Sequence, residues 1–244
     1  MMIRPLNRGS EFPHLKANAI LINDKGFIMI VDCGDRHDAS SLQKELARYG
    51  FSPAQVEVVV LTHLHADHCE NIDLFKNARI AIHWKEIDFL ERLLRTRSND
   101  ELVSAIFEHY EHIQAYYMRF MCRQFEINRA MYRKMIKDLG QFILVDTDFP
   151  VEGNIKMIET IGHSVGHMSV LLSLDNPVWI TGDAIVSLRC WNQPDRGRNQ
   201  ICWNRLCHAK SCSRIASHGG VVIPGHGLPF DIKSAKMLDY KELL

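Results

Sequence analysis

No stretch of the sequence is apolar for the roughly 18 residues that a membrane-spanning helix needs. The opening Met1-Met2-Ile3-Arg4-Pro5-Leu6-Asn7-Arg8 lacks the continuous apolar core of a signal peptide. Net charge is missing as well. Lys plus Arg and Asp plus Glu are both 29, which excludes a global basic field for nucleic acid or acidic lipid. The seven cysteines are odd in number and show no recurring paired spacing, so no disulfide framework is expected. Together these absences point to a reducing, cytoplasmic setting and a small-molecule substrate, with neither membrane nor nucleic acid as partner. One further absence is local. Between Ala54 and Leu139 there is neither glycine nor proline, and beyond Trp84 the pattern is helical.

What is present suits a single large domain. The chain has 244 residues, 46% hydrophobic and 24% charged, enough to bury a sizeable core without staples. Ala17 to Ile22 and Phe27 to Val31 are largely apolar runs around Asn23-Asp24-Lys25-Gly26, which reads as a β-hairpin. Ser40 to Tyr49 reads as an amphipathic helix closed by Gly50. Short apolar strands are expected at Val58 to Leu61, Ile80 to Ile82, Ile155 to Thr160, Val170 to Leu174, Val178 to Thr181 and Val221 to Ile223. A further helix is expected from about Trp203 to Ser217. Within the stretch free of glycine and proline, Ser98 and Glu101 fit a capping box. Leu102, Ile106, Tyr110, Ile113, Tyr117 and Phe120 then recur at helical steps. We read one domain over 1–244, with two or three helices inserted over 85–141.

The chemistry lies just beyond the strands. His63-Leu64-His65-Ala66-Asp67-His68 follows the buried run 58–61 directly. In an extended loop residues two apart point the same way, so His63 and His65 can grip one ion. Where the chain turns into a helix, Asp67 and His68 can face a second. Imidazole with carboxylate suits zinc, or iron or manganese in a related role. Further candidates follow later strands: His163 after Gly162, Asp183 after Gly182 and His226 after Gly225. A lone histidine beside a strand is ordinarily a surface or core residue, and a lone Gly-Asp is ordinarily a turn. Packing alone, however, gives no reason for three histidines and an aspartate within six residues.

Thr62-His63-Leu64-His65-Ala66-Asp67-His68 resembles the signature of the metallo-β-lactamase superfamily. The resemblance continues through Val31-Asp32-Cys33-Gly34, Gly162-His163-Ser164-Val165-Gly166-His167, Thr181-Gly182-Asp183 and Pro224-Gly225-His226-Gly227. It implies an α/β fold, an αββα four-layer sandwich, interrupted by the helical insertion between the second and third metal motifs. It implies two divalent ions, zinc first, with iron or manganese as alternatives. His63, His65 and His163 would hold one ion, Asp67, His68 and His226 the other, and Asp183 would bridge them. Asp32 and His167 are expected behind the ligands rather than on the metals. Water shared between the ions would be acidified and attack a carbonyl, with Asp67 as the catalytic group accepting its hydrogen bond.

Substrate is less constrained than chemistry. The insert is rich in Phe107, Tyr110, Tyr116, Tyr117, Met118, Phe120 and Met121, which suits a lid over an acyl or other apolar group, a packing face, or a homodimer contact. Tyr110, Tyr117, Phe120 and Arg189 are the candidate substrate contacts. Removing the lid helices is expected to change substrate preference more than metal content. The first expectation is a lactone, ester or thioester hydrolase. Acyl-homoserine lactonases resemble one another in a tyrosine three residues after the bridging aspartate, where this chain has Val186. Alternatives are a phosphodiesterase or ribonuclease using Arg189, Arg196 and Arg198, a mononuclear-iron persulfide dioxygenase-like enzyme, and a non-catalytic ligand sensor. Sensors of that kind lose ligands, and all seven are present here.

Overall fold

Apolar residues alternate along the strands between two cores, and that alternation builds the layers. The computed structural model describes residues 1–10, 16–111, 113–193 and 201–243. One sheet is ordered β1 (Met2–Asn7), β2 (Ala19–Asp24), β3 (Phe27–Val31), β4 (Val58–Val60), β5 (Arg79–His83) and β6 (Phe142–Val145). It is antiparallel through β3 and parallel from there on. The other sheet contains β7 (Phe149–Glu152), β8 (Ile155–Glu159), β9 (Met168–Leu172), β10 (Val178–Gly182), β11 (Val221–Pro224) and β12 (Phe230–Asp231), with β10 and β11 parallel.

Ile20, Ile22, Met29 and Val31 face Met157, Val170, Ile180 and Ile223 across the sheets. Their neighbours Leu21, Ile28, Ile30, Val59 and Ile80 point the other way. There they pack under α1 (Ala39–Arg48) and under α3 (Trp84–Leu94), α4 (Asn99–His109) and α5 (Ala115–Lys137), which lie between β5 and β6. On the far side Ile158, Trp179 and Val222 pack under the helix Arg205–His218. Because both faces of each sheet are covered, the central strands read as continuous apolar runs rather than alternating ones. The four-layer αββα expectation is met.

Local details follow the residue types. The β2–β3 hairpin closes through Lys25 and Gly26, both at positive φ (54° and 98°), the turn that matches strand twist. Ser98 caps α4 by accepting the Glu101 N–H, but the Glu101 carboxylate reaches past it to the Arg97 N–H. Only half of the expected capping box forms. The helical rhythm across residues 102–120 is shared between two helices, α4 ending at His109 and α5 beginning at Ala115. None of the seven cysteines is joined in a disulfide. Among the described residues no helix is long and apolar enough to cross a membrane.

Candidate metal centre

Strand ends on one edge of the sandwich deliver every candidate ligand. Thr62 to His68 follow β4, His163 lies between β8 and β9, Asp183 follows β10 and His226 follows β11. His65 ends its extended stretch as the N-cap of the one-turn α2 (Ala66–Cys69), which places Asp67 and His68 in the turn beyond it. Two groups of ligand atoms result, each gathered within 4.8 Å: His63, His65, His163 and Asp183, and Asp67, His68 and His226. In the first, His65 Nδ1 lies 2.9 Å from His63 Nε2 and 3.1 Å from His163 Nε2. In the second, His226 Nε2 is 3.6 Å from Asp67 Oδ2.

Asp183 joins the groups. Its Oδ2 lies 3.5 Å from His163 Nε2, and its Oδ1 lies 3.4 Å from both His68 Nε2 and His226 Nε2. Two glycines permit this approach. A side chain at Gly225 would put its first carbon 1.9 Å from Asp183 Oδ1. Gly182 sits at φ 47°, with Thr62 filling the space a side chain would need.

Behind the ligands stands a hydrogen-bonded shell. Asp32, buried and held at φ 55°, accepts from Thr62 N (2.8 Å) and Thr62 Oγ1 (2.8 Å), and its Oδ2 is 2.7 Å from His68 Nδ1. Thr62 Oγ1 also lies 3.0 Å from His63 Nδ1, and the Lys16 carbonyl lies 2.7 Å from His226 Nδ1. His167 is buried with Nδ1 3.0 Å from Thr160 Oγ1, its ring 5.1 Å from that of His63, outside both ligand groups.

The electrostatics divide the site. Burial, with crowding by other imidazoles, holds His63 and His163 well below the usual histidine range and pulls His65 to about 4. These three are neutral lone-pair donors. Burial also disfavours charge on His68 and His226, but carboxylates outweigh it and raise both, Asp32 foremost at His68 and Asp183 at His226. Burial likewise opposes the Asp183 carboxylate, yet His226 and His68 hold its carboxyl well below the usual range.

The donor set fits divalent metal ions. Among the described residues, buried His68 Nε2 and Asp183 Oδ1 have no hydrogen-bond partner, and they lie 3.4 Å apart within the cluster. Imidazole nitrogens about 2.0–2.1 Å from one zinc ion lie roughly 2.9–3.4 Å apart, which matches the spacing around His65. Lone pairs converging at this range repel one another unless a cation or a proton lies between them.

A cavity of about 160 Å³ opens from the cluster. His65, Asp67, His163, Asp183 and His226 form one end, and Phe89, Leu90, Leu93, Ile106 and Phe125 form the apolar part. Tyr110, Tyr117, Phe120 and Met121 line it as well, whereas Phe107 and Tyr116 face solvent. Arg189 is exposed and does not line the cavity, and Arg196 and Arg198 lie outside the described residues. Sequence reasoning missed Glu86 and Tyr132, which also line the cavity and brace the ligand loop. Glu86 had a signal: an acid in helical step with Phe89, Leu90 and Leu93 sits on the apolar face.

Comparison with known proteins agrees with this architecture. The family profile described as the Metallo-beta-lactamase superfamily matches residues 13–226. An uncharacterized protein of Caenorhabditis elegans is 23% identical over 225 residues, 90% of this chain and 49% of its own length. This chain spans less than half the length of the curated relatives it matches. A metallo-beta-lactamase family protein of Thermus thermophilus superposes with TM-score 0.64 at 19% identity, covering 99% of this chain and 77% of that one. AidC, a dizinc quorum-quenching lactonase, superposes with TM-score 0.65 at 19% identity, covering 86% and 72%. At these identities the likeness to solved structures is one of fold.

Proposed function

We propose that this chain, which belongs to the metallo-beta-lactamase superfamily, is a hydrolase using two divalent metal ions on a lactone, ester or thioester with an apolar acyl or alkyl part. The observation that carries this reading is the cavity. It joins the ligand cluster to an apolar wall, and its described lining contains no lysine or arginine. A phosphodiester would need cationic partners there. The apolar wall offers burial instead, at about 0.8 kcal/mol per methylene. Two ligand groups sharing Asp183, rather than one, favour two ions over a single iron.

His63, His65 and His163 would hold one ion, Asp67, His68 and His226 the other, and Asp183 would serve both. Bound there, zinc or a similar ion supplies Lewis acidity toward the carbonyl oxygen and makes water acidic enough to attack near neutral pH. The protein does the rest. Asp67, at 24% side-chain exposure the most accessible carboxylate of the cluster, accepts the hydrogen bond of the attacking water. Asp32 fixes His68 by taking its Nδ1 proton in a hydrogen bond, so that Nε2 faces the cluster. Tyr117, half-buried and with its phenol pKa raised by that burial, stays protonated and lines the same cavity. It can donate to the oxygen on which negative charge develops, as the side chain of Val186 cannot.

The test is turnover by zinc-loaded protein on a decanoyl lactone, a decanoyl thioester and a bis-nitrophenyl phosphate. The reading expects carbonyl turnover only. Turnover of the phosphodiester alone would contradict it.

A further inference from the structure

All three inserted helices reach the segment His63-Leu64-His65. From α3, Glu86 accepts the Leu64 N–H at 3.2 Å and the Gly166 N–H at 2.8 Å, tying the first histidine loop to the loop that carries His163. From α5, Tyr132 Oη donates to the Leu64 carbonyl at 3.0 Å. At the C-cap of α4, Tyr110 Oη lies 3.2 Å from His65 Nε2. Of these three contacts only that of Tyr110 is to the side chain of a ligand candidate. Its ring is buried and packs edge-on against Phe89 and His109, so the hydroxyl is held in place.

The tautomer follows from the geometry. His65 turns Nδ1 toward His63 and His163. For Nδ1 to offer its lone pair, the proton must sit on Nε2, which then donates to the Tyr110 oxygen. We propose that Tyr110 is a positioning residue for the first metal ion. It fixes the tautomer and ring plane of His65, so the inserted helices hold the metal site as well as cover it. This rests on the metal-site reading above, and it runs against the expectation that removing the lid helices changes substrate preference more than metal content. Because Tyr110 also lines the cavity, the same contact joins the substrate wall to the metal.

The experiment is zinc titration of metal-free protein against a chromophoric chelator, with Tyr110→Phe beside the wild type. The variant keeps the ring and loses only the hydroxyl. The expected result is about tenfold weaker binding of one of the two zinc equivalents, with the Tm of the metal-free protein unmoved. The visible absorption of the cobalt-loaded protein should shift as well. Equal affinities and an unshifted cobalt spectrum would overturn the role of Tyr110 while leaving the metal site standing. A loss of affinity at both equivalents together with a fall in the metal-free Tm would overturn it in favour of simple packing. Failure of the wild type to bind zinc would overturn the metal-site reading and this inference together.

Discussion

Replacing Asp32 by asparagine isolates one buried hydrogen-bonding group behind the metal centre. Asn has the same shape and tolerates the left-handed backbone at φ 55°, so the change leaves the local fold in place. Asp32 receives three contacts: Thr62 N on one oxygen, and Thr62 Oγ1 and His68 Nδ1 on the other. In an asparagine one oxygen becomes NH2. Either orientation of the amide then sets two donors face to face, against His68 Nδ1 or against Thr62 N. Losing a charge-assisted hydrogen bond at a buried site costs about 1.5–3 kcal/mol, which is roughly a 10- to 150-fold change in an equilibrium constant. Removing outer partners of metal-binding histidines costs about 10- to 100-fold in affinity. The two routes agree on the size. We therefore expect Asp32→Asn to weaken zinc binding by about that factor at the equivalent held by His68, as read by chelator competition. Wild-type affinity in this variant would refute the view that Asp32 orients His68.

Three further outcomes are expected. With acyl chain length varied in the substrate, kcat/KM should rise about fourfold per methylene until the cavity is filled; a flat series would show that the apolar wall does not contact substrate. Gly225→Ala should lose metal content and lower Tm, since the added carbon falls 1.9 Å from Asp183 Oδ1 and overpacking costs about 1–3 kcal/mol; unchanged metal content would show that Asp183 can move aside. His109, stacked 3.6 Å above Phe89, has its pKa pulled to about 4, first by burial and then by Arg92. The unfolded chain protonates this group near pH 6.5, so between those values the unfolded state binds more protons. Stability should fall as pH drops through that window, and His109→Gln should flatten the dependence in pH-dependent urea unfolding.

Much of the site was legible because ligand chemistry is local in sequence. His63, His65, Asp67 and His68 lie within six consecutive residues, and His163, Asp183 and His226 each follow a glycine that has no room for a side chain. The braces were not legible in the same way. Glu86, Tyr110 and Tyr132 act on residues 22, 45 and 68 positions away, and their types alone do not set them apart from ordinary helix residues. The central strands were readable as apolar runs, whereas β1 was not. It carries Pro5, which an edge strand tolerates because it pairs on one side only. The stretch between β5 and β6 was readable as helical, but the break between α4 and α5 was hidden under a periodicity that continues from one to the other. That break places Tyr110 at a helix end, turned toward His65.

The most direct test of the central claim is elemental analysis of the protein purified without added metal and after zinc reconstitution. The account predicts two divalent ions per chain after reconstitution. A single iron that zinc cannot replace, or no bound metal at all, would contradict it.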